Sequence, residues 1–385
     1  MSPVTIPLGD LYAKTESVNP ARHTEEAFEL YSVPSYEGRQ PDLVLGAAIG
    51  STKVVVRPGD VLLCKIVPHI RRAWVVPPRG DIRQIGSGEW IVMRDERFHP
   101  NYLRHLALSD SFHAMFMSTV AGVGGSLMRA RPAQAGAIPI RLPPLPEQRR
   151  IAAILDQADE LRTKRRRALT LLDELADANF AALKTEINTA SEKVCIRDVA
   201  DIQTGPFGSL LHKEDYELEG VPIVNPTHIV DGEIVPNSKL TVSSKKCKEL
   251  AVFALKAGDV VLGRRGEMGR AAVVRAGSLP LLCGTGSMIL RPRDGRINGE
   301  VLATTIRSAQ VRKTLEDAAL GATMLNLNQK IVGDLYILLP GLDAQDAFAN
   351  SSYRLRLQRE VILEQISVLD ELFASLQHRA FRGEL

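Results

Sequence analysis

Cysteine is scarce in this sequence: four among 385 residues, at Cys64, Cys195, Cys247 and Cys283. They form no CxxC pair and have no histidine pair nearby, which excludes a disulfide framework or a thiolate metal site and leaves them as reduced core residues. No apolar run approaches the roughly 18 residues of a membrane-spanning helix. Met1–Asp10 lacks the charged start and apolar stretch of a signal peptide, so a cytoplasmic protein is expected. Net charge is only +3; any nucleic-acid ligand must be held by local basic patches, not by a global field. Catalytic signatures are missing too. There is no GxxxxGK[ST] phosphate loop, no HExxH, and no glycine-rich cofactor loop followed by a complete amino-methyltransferase tetrapeptide. Asn225-Pro226-Thr227-His228 has the first two letters of such a tetrapeptide but not the second proline or the aromatic. Carboxylates fall in no spacing that calls for acid–base work. A non-catalytic chain without a metal site is expected. Its hydrophobic content of 45% and mean hydropathy of −0.04 fit a soluble globular protein long enough for two cores.

What is present is a long helical pattern, repeated. Pro143, Pro144 and Pro146 give a stiff lead-in, and Glu147 follows in the first turn, where the exposed N–H groups favour a carboxylate. Apolar residues then recur at three- and four-residue steps through Ile151, Leu155, Leu161, Leu172 and Leu175. A helix of this length wants a partner, and the C-terminal stretch supplies it. At an offset of 197 residues, Leu142-Pro143-Pro144-Leu145 meets Leu339-Pro340-Gly341-Leu342, Gln148 meets Gln345, and Leu172-Asp173-Glu174-Leu175 meets Leu369-Asp370-Glu371-Leu372. At an offset of 199, Gly59-Asp60-Val61 meets Gly258-Asp259-Val260, with Arg71 on Arg270. The chain reads as two copies of a globular part followed by a long helix. The helices should pack antiparallel, with Phe348, Leu355, Ile362, Ile366, Leu369 and Phe373 as the second seam, and Glu360 and Glu364 opposite the run Lys164-Arg165-Arg166-Arg167.

A mixed globular part ending in a glycine-rich turn and an I-x-L-P-P-L-x-E-Q-x-x-I helix start, all duplicated, resembles the specificity (S) subunit of type I DNA restriction–modification systems. The likeness covers the whole chain. It is strongest at Pro143–Ile151, at Gly258-Asp259-Val260 with Gly266 and Gly269, and at Gly321-Ala322-Thr323 to Asn328. The second helix start departs from it, reading Leu342-Asp343-Ala344-Gln345 without Pro-Glu-Gln. The resemblance implies an α+β fold: two pseudo-repeated mixed α/β target-recognition domains separated by two long antiparallel coiled-coil helices. Residues 1–142 would be the first such domain and 143–186 the central helix. Residues 187–340 would be the second domain and 341–385 the pairing helix. It further implies double-stranded DNA as ligand, two methyltransferase subunits docked on the helices, and restriction/translocase subunits beyond them. S-adenosylmethionine, ATP and Mg2+ would sit on those partners and none on this chain. Glu147, Gln148, Arg149, Arg150, Arg162, Arg166, Arg167 and Gln345 are the docking candidates on the helices.

The loops supply candidates of their own. In the first unit short β-branched runs at Val44–Ile49, Lys53–Val56 and Val61–Val67 precede a turn carrying Lys65, His69, Arg71 and Arg72, then a strand Ala73–Val76. Cations around a turn suit phosphate or the acceptor edge of guanine; a solvated loop is the bland account. A helix Pro100–Ser118 follows, with Tyr102, Leu103, Leu106, Phe112 and Phe116 on one face and His105 and His113 as packing or surface residues. Gly122–Ile140 carries Gly124, Gly125, Arg129 and Arg131. In the second unit a strand Ile196–Ile202 leads to Gln203, Thr204 and a small-residue loop reaching Ser209, and Lys213 lies beyond. After the strand Val221–Val224 come Asn225, Thr227 and His228; later come Arg264, Arg265 and Arg270, and then Asn326, Asn328, Gln329 and Lys330. Asn and Gln can bond adenine bidentately and Arg guanine, whereas turn and cap chemistry explains each of them equally well. Three readings follow: a DNA-reading subunit whose partners do the chemistry, an autonomous DNA-modifying enzyme with degenerate motifs, and a coiled-coil protein-interaction scaffold.

Overall fold

The computed structural model describes all residues except 1–2, 79, 123–127, 191, 208–209 and 320–325, and not the side chains of 188–190 and 319. Gly124 and Gly125, the Gly208-Ser209 pair and Gly321-Ala322-Thr323-Met324-Leu325 therefore lie outside the described residues. The chain divides into two compact units, one of Met1–Arg167 with Leu363–Leu385 and one of Ala168–Ile362.

Both units are built on the same buried strand. In the first, Val61–Cys64 lies between Ala73–Val75 and Trp90–Met93. In the second, Val260–Gly263 lies between Ala271–Val273 and Ser287–Pro292, with Ala200–Thr204 on the far side. All four residues of each central strand are buried, so they read as unbroken apolar runs and not as an alternation. The Gly-Asp pair ahead of each strand has one structural cause. Gly59 and Gly258 both have φ +86, a region that side chains avoid. The aspartate that follows closes the turn. Asp60 Oδ2 accepts from Arg57 N at 2.8 Å, and its two oxygens hold Arg94 at 2.6 and 2.7 Å. Asp259 accepts from Lys256 N at 2.8 Å and holds Arg291 at 2.7 Å through each oxygen.

A five-stranded sheet completes the first unit, in the order Ser17–Val18, Lys53–Val55, Arg83–Gly86, Ala27–Tyr31 and Asp42–Leu45. In the second, Tyr216–Glu217, Thr241–Val242, Val221–Val224 and Leu282–Cys283 form a smaller one. The chain reaches each long helix along an antiparallel ribbon, Val4–Pro7 with Pro139–Leu142 and Glu192–Cys195 with Tyr336–Leu339.

Several expected elements end elsewhere. The strand drawn to Ile49 stops at Leu45, because a turn begins at Gly46, where any Cβ would strike the carbonyl of His23. The strand drawn to Val67 stops at Cys64. The helix Pro100–Ser118 is two, Pro100–Ala107 and Asp110–Met117; Ser109 breaks it by capping the second, its Oγ accepting from Phe112 N at 3.3 Å. All five residues of its expected apolar face are buried. Ile196–Val199 is a helical turn and not the start of a strand. Of the cysteines, all four free, three are buried and Cys247 is partly so.

The long helices span Leu145–Ala190 and Leu342–Arg382, so the second starts without the Pro-Glu-Gln of the first. They run antiparallel within each unit. In the first unit Arg150 Nη2 donates to Leu385 O at 2.6 Å, and further along Arg162 Nε meets Asp370 Oδ1 at 2.6 Å. In the second Asp173 pairs with Arg359, Asn179 Nδ2 donates to Ser352 Oγ at 3.1 Å, and Leu183 packs on Phe348. Ile151, Leu155 and Leu172 are buried as expected, but Leu161 and Leu175 are 43% and 55% exposed and leave the seam. Among the described residues no ion pair joins the basic run to Glu360 or Glu364, although Arg165 and Glu364 line one cleft. Arg166 binds Asp370 at 2.8 Å, Lys164 binds Glu160 of its own helix at 2.7 Å, and Glu360 faces Arg356 of its own helix at 3.8 Å.

Candidate nucleic-acid interface

Each central strand runs into a loop that turns away from the sheet, and each loop meets a segment just ahead of its long helix. In the first unit Lys65 O accepts from Ala130 N at 2.8 Å, Ile66 bridges to Arg129, and Val67 N donates to Met128 O at 2.9 Å. In the second, Arg264 O accepts from Leu327 N at 3.0 Å and Arg265 bridges to Asn326. The repeat offsets map these contacts onto one another, so the two candidate groups of each unit are brought together by one backbone arrangement. Residues 65–72 sit beside 128–131, and 264–270 beside 326–330.

The side chains differ in how free they are. Arg265, Gln329 and Lys330 are exposed. Arg264 is partly buried and turns inward, its Nε donating to Leu327 O at 3.0 Å. Burial, and then the charge of Arg265, hold its guanidinium below the ordinary arginine range. Asn326 Oδ1 is buried with no hydrogen-bond partner among the described residues. Asn328 caps the short helix Gln329–Gly333 by accepting from Ile331 N at 2.8 Å. Arg270 is tied to Glu267 at 2.7 Å. In the first unit His69 and Arg131 are exposed and Lys65 partly buried. Arg71 pairs with Asp110 at 2.5 Å, Arg72 with Glu37 at 3.0 Å and Arg129 with Glu89 at 3.1 Å. The Arg71 and Arg129 pairs are solvent-facing and contribute about 0–1 kcal/mol each, so a phosphate or base can displace them, whereas the Arg72 side chain is only 11% exposed.

The other loop candidates lie outside this strip in sequence, but the Asn225–His228 loop touches it, Arg270 Nη1 donating to Pro226 O at 3.4 Å. Gln203 and Thr204 end a strand, partly buried; Lys213 opens an exposed turn; Thr227 is exposed. Asn225 Oδ1 accepts from Gly286 N at 3.4 Å and so ties two loops together. His228 is 6% exposed, with Nδ1 2.8 Å from Ile223 O. A ring so enclosed has no edge to offer a base, and its place is structural.

Two helix candidates are placed against their expected use. Gln148 is 0% exposed and Gln345 1%, and both form the same clamp. Gln148 Oε1 accepts from His99 N at 2.7 Å, while Nε2 donates to Arg97 O at 2.9 Å and Pro143 O at 2.8 Å. Gln345 accepts from Asn298 N at 2.7 Å and donates to Arg296 O at 3.0 Å and Pro340 O at 2.9 Å. Each fastens a long helix to its own globular part and cannot touch a partner. Glu147 pairs with Arg150 at 2.7 Å, Arg162 and Arg166 share Asp370, and Arg149 and Arg167 are exposed. Exposed apolar residues on the same helices, among them Leu171, Leu357, Val361 and Val368, are a surface that charge-based reasoning passed over. Their spacing outside the seam was its signal.

No family model matches the chain. In sequence it is 25% identical over 215 residues to the proposed MjaX specificity subunit of a type I restriction enzyme from Methanocaldococcus jannaschii. That match covers 55% of this chain and 50% of the relative, so the chain spans about half the length of the curated relative it matches. In structure it is similar to the S subunit of a type I restriction–modification system from M. genitalium, with TM-score 0.62, 12% identity and coverage of 99% of this chain and 96% of that one. It is also similar to a chain from a study of complex assembly and conformational transition in the type I restriction–modification system, with TM-score 0.56, 22% identity and coverage of 100% and 98%. At these identities the likeness is one of fold.

Proposed function

We propose that this chain, which has the fold of type I specificity subunits, is the DNA-reading subunit of a type I restriction–modification complex and is not itself a catalyst. The observation that carries the reading is the duplicated strip: residues 65–72 beside 128–131, and 264–270 beside 326–330. The second strip mixes arginine and lysine with amide side chains and the first mixes them with histidine, chemistry that contacts phosphates and base edges. Two strips in one chain imply a target of two short half-sites.

In the second unit Arg265, Gln329 and Lys330 are the exposed readers, with Arg264 and Asn328 holding the backbone that presents them. In the first, His69 and Arg131 are exposed, Arg71 and Arg129 exchange an internal carboxylate for DNA, and the enclosed Arg72 supports the loop. Methyltransferase subunits on the long helices bring S-adenosylmethionine and act on an adenine flipped out of the stack. Restriction/translocase subunits bring ATP and Mg2+. Exposed leucine and valine on the helices within each unit, and Arg149 and Arg167 within the first, give such partners apolar and basic groups to dock on.

The test is the methylome. Cells carrying the chain with its methyltransferase partner should show methylated adenines in one bipartite motif, and deleting the chain should abolish that motif. A methylation pattern indifferent to the deletion refutes the reading. Methylation of DNA by the purified chain alone, supplied with S-adenosylmethionine, would make it an enzyme instead.

A further inference from the structure

In the second unit the hairpin of Ile229–Val230 and Glu233–Ile234 turns through Asp231 and Gly232, whose φ angles are +50 and +79, as a type I′ turn requires. This turn lies against Arg307, the last residue of the helix Gly299–Arg307. A Cβ on Gly232 would stand 2.6 Å from Arg307 Nη1, so glycine is what allows the approach. Arg307 is partly buried and donates to Ala271 O at 3.1 Å and Thr304 Oγ1 at 3.0 Å. No carboxylate pairs with it among the described residues. Burial holds its guanidinium below the ordinary arginine range, although Glu300 and Glu233 act in the opposite direction. A cation taken from water without a counter-ion is costly and calls for an explanation.

Arg307 lines a cavity of about 290 Å³ together with Arg270, Arg312, Glu267 and the backbone of Gly232 and Gly269. Among the described residues the carboxylates on these walls are Asp231, in the turn, and Glu267, which lies 2.7 Å from Arg270 and 3.9 Å from Arg312. Three guanidinium groups thus line the cavity, and the most enclosed of them pairs with no carboxylate among the described residues. The first unit lacks this arrangement. Ser109 and Ser308 cap corresponding helices, and at that offset Arg307 becomes Leu108 and Arg312 becomes His113, while Arg71 is already neutralised by Asp110.

We propose that this cavity binds a phosphate group and, resting on the function proposed above, that the group is a backbone phosphodiester flanking the half-site read by the second unit. Planar arginine forks match phosphate oxygens two at a time. The loop 264–270 joins the two activities: its first arginines belong to the reading strip and its last to the cavity. A phosphate entering the cavity would occupy the vacant donors of Arg307 and draw Arg270 and Arg312 from Glu267. The contact carries no base preference, and it exists in one half of the target only.

The experiment uses the full chain with its methyltransferase partners and two variants, R307Q and R312A, the second at a side chain 44% exposed that the fold does not need. Each should weaken binding to cognate and unrelated duplexes by the same factor, roughly three- to tenfold at low salt, and reduce the salt slope by about one. The methylated motif should not change. For the wild-type complex, one neutral methylphosphonate beside the second unit's half-site should reproduce the loss, and it should add nothing to R312A. A folded R312A with unchanged affinity and slope overturns the inference. So does saturable binding of inorganic phosphate that R307Q abolishes without affecting DNA, which assigns the cavity to free phosphate. A wild-type complex that retains no DNA at all would instead overturn the proposed function, and this inference with it.

Discussion

Replacing Gln345 with glutamate changes a single group in a buried clamp, and the consequence can be worked out atom by atom. Oε1 would still accept from Asn298 N, at 2.7 Å in the native clamp. The NH2 that donates to Arg296 O at 3.0 Å and Pro340 O at 2.9 Å would become an oxygen facing two carbonyl oxygens. Protonated, the new carboxyl keeps one O–H, so one donor is lost, at a cost of about 1–2 kcal/mol. Ionised, it is an anion pressed against two carbonyls in a site 1% exposed. Its folded pKa is therefore raised above the roughly 4.3 of the unfolded chain. A raised carboxyl means that the unfolded chain releases its proton first. Stability relative to wild type is then highest below about pH 4.3 and falls by roughly 1.4 kcal/mol per pH unit until the folded pKa is reached. By pH 6.5 the loss should total about 4–5 kcal/mol. Q345L, which leaves all three partners unpaired but adds no titrating carboxyl, should cost about 3 kcal/mol with no such slope. Urea unfolding of both variants and wild type between pH 4.5 and 7.5 measures the difference. A Q345E penalty flat across that range, or the same slope in Q345L, would refute the argument. Q148E should repeat the Q345E result, because Gln148 bonds one backbone N–H and two backbone carbonyls in the same way.

Arg265→Ala should weaken DNA binding by about 1–3 kcal/mol and relax one half-site if the guanidinium grips a base; if it meets phosphate, all sequences should lose affinity alike and the salt slope should shrink by about one. An unchanged isotherm for the double variant R264A/R265A would remove this loop from the interface. Asp156 sits below the ordinary carboxylate range: burial alone would raise it, but His105, Asn101 and Arg104 more than offset that. Its contribution should be present above pH ~4 and lost as the pH falls below it, so D156N should narrow its stability gap to wild type in acid titrations followed by circular dichroism; a gap that widens in acid would contradict this.

The features legible in the sequence were those with one local cause repeated twice. Gly-Asp-Val stood out because the turn needs a positive φ and the aspartate needs its arginine. The Leu-Pro and Gln register stood out because each long helix is fastened in the same way. What was not legible depended on partners distant in sequence. Gln148 looked like a surface residue of a first helical turn, and nothing local says that the backbone of Arg97 and His99 closes over it. Helical periodicity placed Leu161 and Leu175 on a seam that the actual register misses. The acidic partner of Arg162 and Arg166 is Asp370 and not a glutamate nearer the expected level, since an antiparallel register cannot be read from either helix alone. Arg307 and Arg312 went unnoticed because a helix end and a helix start make the cavity wall only after the hairpin folds against them.

The two copies share the clamp and the turn but close one helix contact with opposite charge. In the first unit the carboxylates stand on the long helix: Asp156 takes Asn101 at 2.6 Å and His105 at 2.7 Å, and Asp159 takes Arg104 at 3.0 Å. In the second the carboxylate stands on the short helix, where Glu300 takes Arg356 of the long helix at 3.5 Å and Arg275 as well. Asp159 and Arg356 occupy the same place in the repeat, 197 residues apart. A globular part seated on the wrong copy's helix would set Arg104 against Arg356, or Glu300 against Asp159. At about 4 Å and an effective dielectric near 20, such a pair repels by up to about 4 kcal/mol. The inverted charges thus key each globular part to its own stretch of helix, which matters in a chain whose two halves are otherwise built alike. Exchanging the two residues tests this. D159R and R356D each write one copy's residue into the other, and each should destabilise its own unit by about 1–2 kcal/mol more than D159A or R356A, because repulsion is added to the lost pair. Combining D159R with R356D should bring no relief, since each charge stays wrong where it sits. Hydrogen exchange of the amides in Pro100–Ala107 and Gly299–Arg307 reports the two units separately. If the charge exchanges cost no more than the alanines, the opposite polarities are incidental and do not key the pairing.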